Sequence, residues 1–458
     1  MRIIDASEFS DYWRSYKLNS SDSSSHSVDT VVREIVDAVR SEGDNALRRY
    51  AERFDKSSPS RLEVPVTLAE KSWEDLCNND RETSAALELA ARHIQRFAEL
   101  QRKSFADFES EMHTGLFTGQ LVIPVERAAV YVPAGRFPII SSVLMGMIPA
   151  LTAGVDEIIL ASPPMKDGFP DRNIMAAAAL SMMIGRNAAV DKANDTKLRL
   201  FAMGGAQAIA ALALGTESVP RASVIVGPGN KYVTAAKRML FGEVGIDLIA
   251  GPTDVLIITD KETADTAADL VAADMLAQAE HDTEACARAL VDDHRLAEKI
   301  NIALEKHLAI LPEESSAVAR VSIDSNGLII VYRSREEAIR IANSIAPEHL
   351  ELHSGDPGSW LPAKKPGTHL KNFGSLFIGS LAAEVLGDYS AGINHTLPTS
   401  ESARFTGGLS VRHFLKTPTT LRCVPGVGFE EARKAAEILG RAEGLAAHSL
   451  AAQMRRSQ

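Results

Sequence analysis

Cysteine is nearly absent: the 458 residues hold three, Cys77, Cys286 and Cys423, far apart and with no CxxC pair. That usage excludes a disulfide framework and a cysteine-built zinc knuckle. Positive charge is in deficit, with 49 Lys and Arg against 60 Asp and Glu and a net charge of −11. The field of the whole molecule repels a polyanion, so no nucleic-acid partner is expected, although a local basic patch around a dinucleotide is compatible with it. GxGxxG, the Walker A loop and HExxH are all missing, and there is no internal repeat of fixed period. The opening MRIIDASEF lacks a basic stretch followed by an apolar one, so no secretory signal is read. Residues 137–155 carry no charge and approach the length of a membrane span. Pro138, Pro149, Ser141, Ser142, Thr152, Gly146 and Gly154 interrupt that stretch, which runs into Asp156-Glu157. It reads as a buried helix leading into a strand. No membrane partner and a cytoplasmic location are the expectations.

What is present is an ordinary globular composition, 45% hydrophobic and 24% charged. At about 150 residues per domain, the length suggests about three folding units with ample chain for buried cores. Residues 20–27, SSDSSSHS, read as a polar linker behind an N-terminal arm. From Val31 to Ala106 apolar residues recur at three- and four-residue steps, the period of helices. Short β-type runs follow: RAAVYVP, DEIILASPP, LRLFAM, RASVIVGPG and TDVLIIT, with Ala-rich helical stretches between them. A helix over 263–290, a strand over 327–332 and a helix over 335–345 come next. Beyond residue 400 a Gly-rich segment leads to one long C-terminal helix. Strands alternating with helices predict α/β architecture with largely parallel sheets, in two units plus small terminal segments.

Five motifs carry chemistry-bearing residues. Glycine-rich loops follow strands at Met203-Gly204-Gly205-Ala206-Gln207 and Gly227-Pro228-Gly229-Asn230-Lys231. Either they hold an anion or amide ring at a helix N-terminus, or the glycines only permit tight turns. In Gln278-Ala279-Glu280-His281 the first and last residues lie about 60° apart on a helix, so an amide oxygen and an imidazole share a face. Two such ligands cannot close a zinc site without remote partners, and the pair alone is an ordinary helix face. Ala346-Pro347-Glu348-His349-Leu350 sets a carboxylate beside an imidazole, natural general acid–base partners, just after a helix. Asp388 and His395 fall in a Gly-punctuated loop, 387–399, where turn chemistry competes with metal binding. Glu443 and His448 lie about 140° apart on a continuous helix, a poor spacing for one shared site.

Taken together and in this order, the segments VYVPAGRFPIISSVLMGMIPALTAGV, GGAQAIAALALGTESVP, GPGNKYVTAAKR, AGPTDVLIITD, QAEH, APEHL, GDYSAGINHTLPT and AEGLAAH resemble the histidinol dehydrogenase family, from about Val32 to His448. The resemblance implies two Rossmann-like domains without the standard fingerprint, NAD, and one zinc ion per subunit. It also implies an intertwined homodimer acting on a small-molecule substrate. The implied segments are an arm at 1–28, a first α/β domain of 29–130 plus 253–400 with the zinc and catalytic residues, an NAD-contacting domain at 131–252, and a C-terminal helical segment at 401–458 that completes the partner's site.

Carried over by motif, the zinc ligands are Gln278, His281, Asp388 and His448, the last donated across the dimer. The NAD contacts are Tyr131, Gln207 and Asn230. Glu348 and His349 are the catalytic pair. Thr253, Gln278, His281, His349, Asp388, His395, Glu443 and His448 contact substrate. The implied reaction takes L-histidinol through L-histidinal to L-histidine with two NAD, in histidine biosynthesis.

Thr253 stands where the family carries a serine, and Gly407-Gly408 resembles relatives that oxidise other small alcohols such as sulfopropanediol. The stretches 186–197 and 418–429 are also unlike typical members. A sulfonate would call for an arginine, with Arg136, Arg404 and Arg412 as candidates.

Overall fold

The runs of branched aliphatic residues form two separate, mostly parallel sheets in a computed structural model. It describes residues 1–455 apart from 21–24, 56, 58–60, 135–137, 187–194, 261–263 and 363–368. The first sheet contains β1 (Arg2–Asp5), β11 (Asp254–Thr259), β12 (Cys286–Val291), β13 (Leu328–Val331), β14 (His349–His353) and β15 (Ser375–Ile378). Their order is β1-β13-β12-β11-β14-β15, every pairing parallel. The second contains β2 (Glu63–Val64), β6 (Arg127–Tyr131), β7 (Glu157–Ser162), β8 (Lys197–Ala202), β9 (Val224–Val226) and β10 (Gly245–Ile246), in the order β10-β9-β6-β7-β8-β2. Only β2, at its edge, runs antiparallel.

Strands buried on both faces need helices on both sides, and these sheets have them. On one face of the second sheet α4 (Val66–Asn79), α5 (Arg81–Arg102), α6 (Ser141–Ala153) and α7 (Arg172–Arg186) enclose a core around Trp73, Ile94, Leu144 and Ile158. On the other, α2 (Ser25–Glu42), α3 (Asp44–Tyr50), α8 (Gly205–Leu214) and α9 (Lys231–Leu240) bury Val32, Leu47, Phe201 and Ile209. The first sheet packs α10 (Ala264–Ala279), α11 (His294–Leu308) and α12 (Glu313–Asn326) on Val255, Ile257 and Ala289. Its opposite face, with Leu256, Ile258 and Leu350, carries α13 (Arg335–Ile345) and Phe9 of α1 (Phe9–Ser20).

Smaller elements complete the chain. An antiparallel ribbon joins β3 (Phe108–His113), β4 (Leu116–Gln120) and β17 (Thr419–Cys423), and β5 (Ile123–Pro124) pairs with β16 (Leu415–Lys416). The short α14 (Glu384–Tyr389) precedes the C-terminal pair α15 (Val427–Ala442) and α16 (Ala446–Gln453).

Several expectations are corrected. Helices from 25–102 share cores with the second sheet, so residues 29–130 do not group with 253–400. The reason is that Val32, Leu47 and Ile94 find their apolar partners on β6–β9. The arm is not outside a domain, because β1 is the edge strand of the first sheet. The expected linker narrows to 21–24, which lie outside the described residues, since helix runs to Ser20 and resumes at Ser25. The helix expected over 263–290 ends at Ala279, because 286–291 pair in register with β11. The C-terminal helix breaks at Gly444, whose φ of 76° is left-handed. The uncharged stretch 137–155 holds α6, whose residues are all buried, and leads into β7 as expected. Among the described residues no helix is long and apolar enough to cross a membrane.

Candidate active site

In open α/β sheets ligands usually sit beyond the carboxyl ends of the strands. The second sheet obeys this rule. A cleft of about 860 Å³ lies there, lined by Tyr131 at the end of β6, Pro163 and Pro164 after β7, Gly205 and Gln207 after β8, and Asn230 after β9. The three residues expected to contact NAD are thus brought together. Gly205 donates its N–H to the Tyr131 hydroxyl at 3.0 Å, and burial pushes that phenol up to about 12. Asn230 caps α9, its Oδ1 accepting from the N–H groups of Tyr232 and Val233, which leaves its amide nitrogen to donate elsewhere.

A buried pair fixes the loop before α9. Lys237 bonds Asp247 and donates to the Gly227 carbonyl at 3.0 Å, while Asp247 accepts the Gly227 N–H at 2.7 Å. Gly227 has φ of 115°, and a Cβ there would lie 2.0 Å from the Tyr131 carbonyl oxygen, so only glycine fits. Asp55, not singled out in the sequence, also lines the cleft. Burial pushes its carboxyl up to about 6, and its Oδ2 has no hydrogen-bond partner among the described residues.

The residues expected to do acid–base work occupy the opposite kind of edge. Thr253 immediately precedes β11, Glu348 immediately precedes β14 and His349 opens it, so they cluster at the amino ends of the first sheet's strands. Both members of the pair are buried. Glu348 Oε2 accepts from Thr253 Oγ1 at 2.5 Å and from the Asp254 N–H at 3.2 Å. Burial pushes Glu348 up to about 7, against the opposing pull of His349 and Thr253. His349 shares the α10 face of the sheet with its register partner Val255. Its Nδ1 lies 3.9 Å from Glu348 Oε2 and 4.0 Å from Glu384 Oε1, and its Nε2 lies 3.6 Å from Asp388 Oδ1. Burial alone would lower the imidazole, but Glu384, Glu348 and Asp388 outweigh it and hold His349 well above its ordinary value. For Asp388 burial opposes ionisation, but the nearby His349 imidazole prevails and keeps it below the usual carboxylate range.

Asp388 lies on α14 rather than in a loop, and that helix carries a site residue that the motifs did not single out. Glu384, four residues earlier and so on the same face, is buried beside His349, with its carboxyl raised well above the ordinary value by burial. The i, i+4 spacing of Glu384 and Asp388 was the available signal, hidden by reading the segment as a turn. Ligand atoms of His281, Glu384 and Asp388 all lie within 4.8 Å of one another. Gln278, in the last turn of α10, reaches the same place. With its Nε2 donating to Thr253 Oγ1 at 2.7 Å, its oxygen faces the Glu384 carboxylate. Acceptor facing acceptor is the arrangement a cation resolves. Without a cation the turned-over amide is the satisfied one, donating to Glu384 at 2.6 and 3.0 Å while its oxygen accepts from Thr253 Oγ1 at 2.7 Å. Amide, imidazole and carboxylate together suit zinc.

His395 is placed beside this cluster with both ring nitrogens engaged: Nδ1 at 3.0 Å from the Asp388 carbonyl and Nε2 at 3.1 Å from Ser142 Oγ. Burial lowers its pKa, favouring the neutral ring. Glu443 and His448 are not brought to the cluster. They flank the Gly444 break, both exposed, on the C-terminal helix pair. Arg404 is spent on Glu401 and the Ser344 carbonyl, and Arg412 donates to Thr406. Arg136 and most of the 186–197 stretch lie outside the described residues.

The comparisons with known proteins agree with one another. The histidinol dehydrogenase family model matches residues 18–456. Histidinol dehydrogenase of Thermus thermophilus is 43% identical, covering 94% of this chain and 95% of that protein. The Streptococcus mutans histidinol dehydrogenase is 40% identical, over 93% and 92%. A crystal structure of histidinol dehydrogenase from Elizabethkingia anophelis superposes with a TM-score of 0.81 at 32% identity, covering 93% of this chain and 91% of that one. By sequence along nearly its whole length and by fold, this chain belongs to the histidinol dehydrogenase family.

Proposed function

We propose that this protein is a zinc-dependent L-histidinol:NAD oxidoreductase that converts L-histidinol through L-histidinal to L-histidine, a four-electron oxidation using two NAD. The observation that carries the reading is the gathering of Glu348, His349, Gln278, His281 and Asp388 from three separate chain segments into one cluster, with family membership behind it. Gln278, His281 and Asp388, with His448 of a partner copy, would hold the zinc, and Glu384 stands close enough to steady an amino group beside it. When bound, zinc orients the substrate's nitrogens and NAD accepts a hydride in each oxidation.

The chain's own residues then divide the proton work. His349, set among carboxylates, takes the alcohol proton as the first oxidation proceeds. Glu348, whose carboxyl sits near neutrality, takes a proton from the water that adds to the aldehyde. His349, once it has released its first proton to solvent, removes the hydrate's proton in the second oxidation. Tyr131, Gln207 and Asn230 hold NAD in the cleft at the carboxyl ends of the second sheet.

A homodimer is part of this reading. Glu443 and His448 are surrounded by exposed apolar side chains, Ile438, Leu439, Leu450 and Met454 among them, a surface that a second copy would cover. A cytoplasmic location fits a biosynthetic dehydrogenase without cysteine pairing. The rival substrate, a sulfonated diol, gains nothing from Arg404 and Arg412, which are engaged elsewhere.

The test is the yield of NADH per limiting L-histidinol with zinc-loaded protein. Two NADH with histidine as product is the expected result. No reduction by folded, zinc-loaded protein would reject histidinol as the substrate.

A further inference from the structure

We infer that the N-terminal arm is a working part of the active site: through the chain Trp13 and Tyr16 to Arg288 to Asp254, it positions the Glu348–His349 pair. The inference rests on the assignment of that pair as the acid–base residues.

Arg288 lies on β12, 2% exposed, on the face of the first sheet opposite His349 and α10. An unneeded guanidinium at that depth would be replaced by an apolar residue at no loss, because desolvating it costs more than one ion pair returns. Its Nε finds no hydrogen-bond partner among the described residues. Its charge is met by two things. The guanidinium carbon lies 5.2 Å from the ring centroids of both Trp13 and Tyr16 on α1, and Nη1 lies 3.3 Å from Asp254 Oδ2. The rings are themselves ordered by stacking, Phe9 on Trp13 at 5.5 Å and Trp13 on Tyr16 at 5.3 Å.

Asp254 is where this support meets the chemistry. Its Oδ1 accepts the Glu348 N–H at 3.0 Å, its own N–H donates to Glu348 Oε2 at 3.2 Å, and its carbonyl lies 3.4 Å from His349 Nδ1. One residue thus touches the backbone and carboxylate of Glu348 and the ring of His349. Arg288 holds the carboxylate that makes the first of these contacts. A second tie runs from the same arm: Lys17 pairs with Glu401, next to the Thr399 whose hydroxyl accepts the Gly251 N–H two residues before Thr253. Arg288 and Asp254 are positioning residues in this scheme, and the arm sets where they sit.

The test uses the full-length, zinc-loaded protein. Arg288→Met, Trp13→Ala and Trp13→Phe are compared with Glu348→Gln and His349→Asn, measuring zinc content, KM for NAD, and kcat from L-histidinol and from L-histidinal. Arg288→Met is expected to lower kcat at least tenfold with zinc content and KM for NAD unchanged. Trp13→Ala should lower it severalfold, and Trp13→Phe, which keeps an aromatic face, should restore it. Unchanged kcat in Trp13→Ala, or a loss that Trp13→Phe does not recover, overturns the inference even if Arg288→Met fails to fold. Full activity in Glu348→Gln and His349→Asn would instead reject the catalytic pair itself, and the inference with it.

Discussion

Thr253 Oγ1 sits between two groups of the proposed site, 2.5 Å from Glu348 Oε2 and 2.7 Å from the Gln278 amide. A hydroxyl has one proton to give. Given to an ionised Glu348, it leaves Thr253 accepting from the Gln278 nitrogen, which points the amide oxygen at Glu384 and the metal cluster. In that orientation the threonine would link the protonation of Glu348 to the orientation of Gln278, the proposed base and zinc ligand. The serine that the family carries there would keep this link, since only a methyl group distinguishes the two.

If Glu348 acts on water, Glu348→Gln removes the base from the aldehyde step and not from the alcohol step. Single-turnover rates should fall about 10²- to 10⁴-fold from L-histidinal, the range for loss of a general base, and within about tenfold from L-histidinol. Equal losses in both would contradict the division of roles between Glu348 and His349.

His448→Ala should weaken zinc binding at least ~100-fold, because even an outer partner of a metal ligand is worth 10- to 100-fold. Chains carrying His448→Ala mixed with chains carrying His349→Asn offer a sharper check. If His448 crosses to the partner, each mixed dimer has one intact site, and random mixing restores about a quarter of wild-type activity. No recovery would place His448 within its own subunit's site or outside it.

The Lys237–Asp247 pair is almost fully enclosed, with side-chain exposures of 4% and 0%. Lys237→Met leaves a buried carboxylate unpaired and should cost about 3–5 kcal/mol in denaturant unfolding, with a raised KM for NAD because the Gly227 carbonyl loses its anchor. Lys237→Met with Asp247→Leu should recover much of the stability but not the cofactor affinity, which separates the two roles of the pair.

Asp55 gives a pH signature. Its folded carboxyl titrates at about 6, above the unfolded value of 3.8, so folding favours the protonated form. The relative stability this gives is complete below pH 4 and lost as pH rises through 6. The residue is only partly buried, so screening reduces the full penalty to about 1 kcal/mol. Asp55→Asn should be about that much more stable than wild type at pH 7 and no more stable at pH 4, read from urea midpoints at the two pH values.

The sequence by itself determined the strand and helix alternation, because branched aliphatic runs buried on both faces have few other structures open to them. Every run read as a strand became one, and the helix over 335–345 matches α13 residue for residue. The motif order was enough to single out Glu348, His349, Gln278, His281 and Asp388, whose residue types must be kept for the chemistry they serve. Glu384 was not legible, since a lone carboxylate in LAAEVLGDYS gains meaning only once 384–389 form a helix that sets it one turn from Asp388.

Only the tertiary structure decided which segments meet. The helices of 25–102 carry apolar stripes that would fit either sheet, and packing alone assigned them to the second. Parallel register put Thr253, Glu348 and His349 at the amino edge of one sheet while the cofactor cleft took the carboxyl edge of the other. It also set Arg288 beneath the aromatic arm, behind Glu348 and His349. Periodicity along a chain reports which face of an element is buried, but not against what, because that depends on contacts between residues hundreds of positions apart.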